Sequence, residues 1–323
     1  MAGGVRGTLQ RWRENYYLSH LLASVAKPLH FPLAGMAETL QRKVRRNGFA
    51  LRLPNGKNLI IGRDTCVSLA SALFWHGLDG FEPHTSRTLR FFFERAATFI
   101  DVGANCGLYS LLGALWNPEL QVTAFEPVPA IFDSLKRNVR LNHLEDRIHC
   151  QKLALSSQSG KANLFLPVSE GSRDMEGTGT LVAESWQAKQ GSPTIEVRTL
   201  RFDDYDKLYP SRVDLMKIDV EDFEADVLQG MEAVMRRDRP FIVCEILPRA
   251  HRNRRTLQAL ERVYYRPYWI TPMGYIKIDH FDFDRPNLMD FVLSPVSTAD
   301  TLVQDLQVLW DLNTVRHQSA VTG

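Results

Sequence analysis

This sequence has no long apolar run and few cysteines. The longest apolar stretch, residues 16–34, is interrupted by His20, Lys27, Pro28 and further polar and proline residues, so it falls short of a membrane span. The first 30 residues also lack the basic, apolar and small-residue order of a secretory signal. The 4 cysteines show no C-x-x-C spacing and no clustered histidines, which disfavours structural zinc and a disulfide framework. We therefore expect a reducing, cytoplasmic location and no transmembrane segment.

Positive and negative charges nearly balance over the whole chain, which has a formal net charge of +2. It is uneven locally, because residues 1–50 carry 8 arginines and lysines against 2 glutamates. This basic start could make a weak contact with a membrane surface, or it could form a solvated face. No basic stripe with interleaved aromatics and no Asn/Asp-Pro-Pro-aromatic motif is present, so we expect no nucleic-acid partner.

Apolar strand patterns alternate with helical patterns from residue 98 onward. The predicted strands are 98–102, 121–127, 147–155, 213–220 and 239–247, and the predicted helices are 107–116, 130–141 and 221–235. Repeated βα units indicate an α/β fold with a mostly parallel sheet and helices on both faces. A hairpin is predicted over 49–62, because Asn55-Gly56 separates two short alternating runs.

The chain is expected to have three parts. Residues 1–80 form an N-terminal helical segment and β-hairpin extension, 81–295 form the main domain, and 296–323 form a C-terminal tail. An insert at 156–200, rich in Ser, Gly and Thr, is long for a connection and favours a functional loop or added strands.

Carboxylates follow the predicted strands at their carboxyl ends, where ligands bind in open α/β sheets. They are Asp101, Glu126, Asp219, Glu221 and Glu245. The first of these strands runs into a glycine turn, "TFIDVGANCGLYSLL", over residues 98–112. We expect Asp101, Gly103, Asn105 and Gly107 to form a ligand-binding turn at the start of a helix.

The spacing of this turn indicates which nucleoside it holds. A nicotinamide fingerprint has a middle glycine that makes room for a pyrophosphate, and that glycine is missing between Gly103 and Gly107. Glu126 follows Gly107 by 19 residues, where a carboxylate can accept hydrogen bonds from a ribose diol. S-adenosylmethionine is therefore the expected cofactor. A nicotinamide-dependent oxidoreductase and a non-catalytic cofactor-binding protein are the alternatives.

Three stretches together resemble the FkbM-type family of S-adenosylmethionine-dependent methyltransferases. They are "FIDVGANCGLYS", "AFEPVPAIFDSLKRNVRLN" and "VDLMKIDVEDFEADVLQGM", with "DGFEP", "LALS" and "CEIL" in support. The resemblance implies a class I, Rossmann-like fold with a seven-stranded sheet whose last strand is antiparallel. It also implies mostly O-methylation of sugars or natural-product hydroxyls, and it places Ala154 and Leu155 beside the adenine.

The segment Asp219-Val220-Glu221-Asp222 departs from the family's usual D-V-E-G. An aspartate at 222 could stiffen this turn or add charge near the sulfonium.

Methyl transfer to a hydroxyl needs alignment and removal of a proton, so a base is expected near the methyl group. The candidates are Asp219, Glu221, Glu245 and His251. Asp219 and Glu221 could also hold a divalent cation. Alternatively, Asp219 caps the next helix and Glu221 favours its N-terminus, with Lys217 as an ion-pair partner. The function expected from the sequence is thus O-methylation of a sugar, glycan or small natural product.

Overall fold

The computed structural model describes residues 48–63, 65–166, 181, 193–208, 212–247, 250–278, 290–298 and 305–306. The helices expected within 1–45, most of the 167–193 loop and most of the C-terminal tail lie outside the described residues.

Within the described residues, the main sheet has eight strands: β3 Thr98–Val102, β4 Gln121–Phe125, β5 Ile148–Gln151, β9 Leu215–Ile218, β10 Phe241–Glu245, β11 Tyr265–Thr271, β12 Gly274–Lys277 and β13 Asp290–Pro295. Their order across the sheet is β5-β4-β3-β9-β10-β13-β11-β12. Strands β5, β4, β3, β9 and β10 are parallel neighbours, and β13 is antiparallel to both β10 and β11. The predicted Rossmann-like fold with an antiparallel last strand is confirmed, and β12 adds an eighth strand at the edge.

Helices pack on both faces of this sheet, and their buried apolar side chains belong to two core clusters. Those described are α1 Val67–His76, α2 Pro83–Phe93, α3 Leu108–Trp116, α4 Pro129–Leu141, α5 Phe202–Leu208, α6 Glu224–Gln229, α7 Glu232–Asp238 and α8 Ala250–Arg262. The first core includes Phe93 and Leu111, and the second includes Met231 and Leu260. None of the helices in the described ranges is long and apolar enough to cross a membrane.

The predicted hairpin is confirmed as β1 Phe49–Arg52 and β2 Asn58–Ile61. Gly56 has a φ of 81°, which glycine adopts without a steric cost. Leu59 and Ile61 are fully buried in the first core together with Leu111. The hairpin therefore packs directly on the helices that cover the main sheet.

The predicted strand at 147–155 is wrong in its extent. The chain leaves the main sheet after Gln151, where the Leu153 N–H turns back to the Gln151 carbonyl at 3.0 Å. It then forms β6 Ala154–Leu155 in a second sheet with β7 Gly160–Phe165 and β8 Thr194–Leu200. The added strands expected within the insert are thus present.

The predicted helix at 221–235 is also wrong at its start and in its continuity. Glu221 and Asp222 have φ values of 52° and 75°, a left-handed conformation that cannot begin an α-helix. Helix α6 consequently begins at Glu224, and a break at Gly230 separates it from α7.

Candidate functional site

A cleft of about 500 Å³ opens at the carboxyl ends of β3, β4 and β9. Strand β3 lies where the chain order reverses, with β4 on one side and β9 on the other, which is where open α/β sheets bind ligands. The cleft is lined by Val102, Gly103, Phe125, Glu126, Pro127, Val128, Leu153, Ala154, Leu155, Leu164, Leu181, Asp219, Val220 and Phe223. Its walls are thus mostly apolar with two carboxylates, a composition that suits a nucleoside.

The turn after β3 is held against the two neighbouring strands. The Phe125 carbonyl accepts the N–H groups of Gly103 and Ala104 at 3.0 and 2.9 Å. Gly103 has a φ of 77°, and a Cβ at this position would lie 1.9 Å from the Asp219 carbonyl oxygen. Only glycine therefore lets the backbones of β3 and β9 approach so closely here.

Glu126 lies beneath the same turn and organises its backbone. Its Oε2 accepts the Asn105 N–H at 3.0 Å, and its Oε1 accepts the Val128 N–H at 2.9 Å. Burial raises the pKa of Glu126 to about 7, although the two backbone donors act in the opposite direction. A carboxylate has about four acceptor positions, so capacity remains for a ribose diol.

The other residues predicted to bind the cofactor lie at two depths, some at the cleft wall and some buried below it. Ala154 and Leu155 line the cleft wall that Glu126 shares. Gly107, with a φ of 91°, is the N-cap residue before α3, and a Cβ at this position would lie 2.5 Å from Leu135 Cδ1. Asp101 lies deeper, 1% exposed, and its Oδ2 accepts the Ser110 hydroxyl at 2.6 Å.

Asp101 retains one unpaired oxygen. Its Oδ1 is buried and finds no hydrogen-bond partner within the described residues. Burial raises the pKa of Asp101, while Lys217 and the Ser110 hydrogen bond oppose that shift. The residue thus anchors the floor of the turn and does not line the cleft.

Three of the predicted catalytic residues come together at the ends of β9 and β10. Carboxylate oxygens of Asp219, Glu221 and Glu245 all lie within 4.8 Å of one another. Burial and the neighbouring Asp219 raise the pKa of Glu245 to about 11, so Glu245 holds a proton at neutral pH and shares a hydrogen bond with Asp219. Burial alone would raise the pKa of Asp219, but Lys217 and these hydrogen bonds hold it below its usual range.

This donor set already holds an ammonium and a proton. The Lys217 Nζ contacts Asp219 Oδ2 at 2.7 Å, so an ammonium already neutralises one of the three carboxylates. Glu245 would have to lose a strongly held proton before it could bind a metal. The arrangement favours a shared proton, and no step is assigned to a metal.

Of the remaining sequence predictions, one is confirmed, one is wrong and one stays a prediction. The ion pair between Lys217 and Asp219 is confirmed. The capping alternative for Asp219 is wrong, because Phe223 is the N-cap of α6 and no side chain bonds there. His251 belongs to α8, and its side chain lies outside the described residues.

Sequence reasoning missed a buried polar group on the face of the sheet that α2 and α3 cover. Asp101 and Lys217 are register partners on adjacent strands, so both side chains point to this face. The Lys217 ammonium lies 4.9 Å from the centre of the Tyr109 ring, and the Tyr109 hydroxyl donates to Glu82 Oε2 at 2.6 Å. We call this group the Lys217 cluster: Glu82, Asp101, Tyr109, Lys217, Asp219 and Asp290.

The sequence patterns point to three members of this cluster separately: Asp101 in the cofactor turn, Asp219 as a catalytic candidate and Lys217 as its ion-pair partner. Glu82 lies in "DGFEP", which supports the family resemblance without suggesting a role. No sequence pattern indicates Tyr109 or Asp290.

Comparisons with known proteins agree with this geometry. The family profile described as "Methyltransferase FkbM domain" matches residues 101–267. The chain is similar to "Methyltransferase sdnD" of Sordaria araneosa, with 31% identity over 160 residues that cover 41% of this chain and 60% of that protein. It is similar to "31-O-demethyl-FK506 methyltransferase FkbM" of Streptomyces tacrolimicus, with 29% identity over 153 residues, 41% of this chain and 58% of that protein. The matches thus span less than two thirds of either relative.

A solved methyltransferase FkbM from Methylobacillus flagellatus KT covers 70% of this chain and 53% of its own, with 15% identity and a TM-score of 0.39. The family profile begins at Asp101 in β3 and ends at Pro267 in β11. Because it spans more than half of the 323 residues, the chain belongs to the FkbM family of methyltransferases.

Proposed function

We propose that this chain transfers a methyl group from S-adenosylmethionine to a hydroxyl group of a sugar, a glycan or a small natural product. The family and the fold imply S-adenosylmethionine as the methyl donor. The observation that carries the proposal is the cleft in which Gly103, Glu126 and Asp219 meet at the ends of three adjacent parallel strands.

The cleft offers a suitable place for each part of the cofactor. Ala154, Leu155 and Phe223 supply apolar surface for an adenine, and Glu126 supplies acceptors for the ribose. The cofactor provides the electrophilic methyl group, and the protein provides alignment for an in-line displacement.

Asp219 is the group of this chain best suited to the acceptor hydroxyl. Its side chain is 18% exposed, it lines the cleft, and its pKa below the usual range keeps it ionised at neutral pH. An ionised carboxylate can accept a hydrogen bond from the hydroxyl and orient the oxygen toward the methyl carbon. Glu245, which holds a proton, stabilises that charge through the hydrogen bond that the two carboxyls share.

Oxygen is proposed as the acceptor atom from the chemistry of the relatives. One of them is named for a 31-O-demethyl substrate, which specifies a missing O-methyl group. A nicotinamide-dependent oxidoreductase is disfavoured, because Asn105 stands within the turn where a pyrophosphate cradle needs glycine. A non-catalytic binding protein would not need an ionised carboxylate at its cleft wall that shares a hydrogen bond with a protonated carboxyl.

The test is transfer of a radiolabelled methyl group from S-adenosylmethionine to a panel of monosaccharides, polyols and hydroxylated polyketides. Resistance of the product to mild base would identify an ether and exclude a methyl ester. We expect Asp219→Asn to lower turnover about 100-fold or more, within the range for a positioned proton acceptor. The affinity for S-adenosylhomocysteine should change by less than about threefold, since its ribose partner remains.

The matched control is Asp146→Asn, which alters an exposed aspartate ahead of β5 and should leave turnover unchanged. Binding of NAD with no binding of S-adenosylhomocysteine would contradict the proposal and favour the oxidoreductase.

A further inference from the structure

The Lys217 cluster contains more carboxyl groups than its single ammonium can neutralise. Lys217 is 4% exposed and pairs with Asp219 at 2.7 Å. Glu82, Asp101 and Asp290 also act on this ammonium, from the start of α2, from β3 and from β13. One positive charge thus faces four carboxyls in a buried space, where unpaired negative charge is costly.

The cluster adjoins the proposed cofactor cleft through Asp219, which belongs to both. Asp219 lines the cleft together with Ala154 and Leu155, and its Oδ2 contacts Lys217. Beneath the same turn, the buried Asp101 Oδ1 finds no partner in the described part of the chain. A positive charge in the cleft near Asp219 would therefore meet carboxyl groups that the protein itself leaves incompletely neutralised.

Glu82 is the member whose position is least explained by folding alone. It has a φ of 41°, a left-handed conformation that is uncommon for a long side chain and that occurs most often at functional sites. Its carboxylate accepts the buried Tyr109 hydroxyl at 2.6 Å, which holds it on the Lys217 side of α2.

We propose that Glu82, acting with Asp219 and Asp290 around Lys217, makes the site prefer positively charged S-adenosylmethionine over S-adenosylhomocysteine, whose sulfur is neutral. This inference rests on the proposed function. During transfer the methyl carbon bonds to the acceptor oxygen, both electrons of the broken C–S bond stay on sulfur, and the hydroxyl proton leaves to a base or to solvent. The product thus loses the charge that the carboxyls attract, which favours its release.

The protonation of Glu82 makes this preference depend on pH. Burial, with Asp219 and Asp290, raises the pKa of Glu82 to about 7, although Lys217 and the Tyr109 hydrogen bond act in the opposite direction. Below this pKa the group is neutral and attracts the sulfonium less. Above it the group is ionised, and the preference reaches its full value.

The experiment measures the dissociation constants of both ligands by calorimetry at about pH 6 and about pH 8. We expect the preference for S-adenosylmethionine to be about tenfold larger at the higher pH, because the ionisation of Glu82 adds one unit charge that attracts the sulfonium and not the neutral sulfur. Near pH 7, S-adenosylmethionine should also release more protons than S-adenosylhomocysteine does, measured in buffers of different ionisation enthalpy. The ammonium and carboxylate ends of the two ligands are identical and cancel in the comparison.

Glu82→Gln should remove most of the pH dependence and leave the affinity for S-adenosylhomocysteine within about twofold. Tyr109→Phe, which deletes one hydrogen bond to Glu82, should move the midpoint of the preference to higher pH. The matched control is Glu119→Gln, which makes the same chemical change at an exposed residue before β4.

A preference that is independent of pH in the wild-type protein would overturn the inference, and so would an equal loss of both affinities in Glu82→Gln. If neither ligand binds the wild-type protein, the proposed function itself fails.

Discussion

Asp222 occupies a backbone position that glycine would adopt more easily. Its φ is 75° and that of Glu221 is 52°, so two successive residues have the left-handed conformation. The family resemblance predicts glycine at 222, and the structure supplies the reason. Asp222 is nevertheless buried, and its N–H donates to Glu224 Oε1 at 3.1 Å.

Substitution of Asp222 tests this strain. We expect Asp222→Gly to be more stable than Asp222→Ala by about 1 kcal/mol, because alanine keeps the left-handed penalty and loses the local tolerance of aspartate. Chemical denaturation of the two variants measures the difference. Equal stability, or a more stable alanine variant, would show that the left-handed backbone is not under strain.

The position of a site side chain could be predicted from sequence where it lies at the carboxyl end of an apolar strand, while its role stays a prediction. This holds for Glu126, Asp219 and Glu245, because the carboxyl ends of parallel strands converge at one edge. Glu82 could not be found, since its partner Tyr109 is 27 residues away and its importance depends on a backbone angle.

The helix boundaries depend on contacts with other elements, which the apolar pattern of a single helix does not contain. The apolar periodicity from 221 to 235 predicts one helix, yet the chain breaks at Gly230, where a Cβ would lie 2.0 Å from the Ser156 carbonyl oxygen. The second half, α7, is capped from another element: Asp203 accepts the N–H groups of Ala233 and Val234 at 3.2 and 3.1 Å. Neither contact could be predicted from the helix sequence, because both partners are distant in the chain.

Asp203 should therefore stabilise α7 as an N-cap residue would. We expect Asp203→Ala to lower the free energy of unfolding by about 2 kcal/mol, since two backbone donors lose their buried acceptor. The affinity for S-adenosylhomocysteine should be retained. Asp204→Ala, which loses one exposed hydrogen bond with Ser159, is the control. Equal effects of the two substitutions on unfolding would contradict the capping role.

The position of a buried central strand could be predicted from sequence for a physical reason. Strands β3, β4 and β10 lie within their predicted ranges because a buried central strand needs a continuous apolar run whatever its partners are. The division of 147–155 into β5 and β6 depends on two different sheets. A local pattern does not contain that information.

At the scale of the whole molecule, the fold concentrates carboxyl groups with raised pKa values near the carboxyl edge of the sheet. Burial raises the pKa of Glu82 and of Glu126 to about 7 and that of Glu224 to about 8. Burial and Asp219 raise the pKa of Glu245 to about 11. All four exceed the usual glutamate value of 4.5 that an unfolded chain would show. The folded protein consequently binds more protons than the unfolded chain near neutral pH.

This excess of bound protons predicts that stability falls as the pH rises. A carboxyl whose pKa is higher in the folded protein than in the unfolded chain adds to the free energy of unfolding, and it does so fully below the unfolded-state pKa. This contribution is lost as the pH rises through the folded-state pKa. The pKa of His84 is lowered by burial and acts in the opposite sense, but only below about pH 6.5, the usual histidine value. We therefore expect the free energy of unfolding to fall between about pH 6.5 and about pH 8.5.

Glu224 provides the sharpest variant for this test, because it is buried and does not line the cleft. Glu224→Gln keeps an acceptor for the Asp222 N–H and cannot ionise. Between about pH 6.5 and about pH 8.5 it should lose about 2 kcal/mol less stability than the wild-type protein, as a pKa of about 8 requires. Urea denaturation at the two pH values measures this difference, and Glu119→Gln should behave as the wild-type protein does. If Glu224→Gln loses as much stability as the wild-type protein, the Glu224 carboxyl is already ionised at neutral pH, and the buried proton must be assigned to another group.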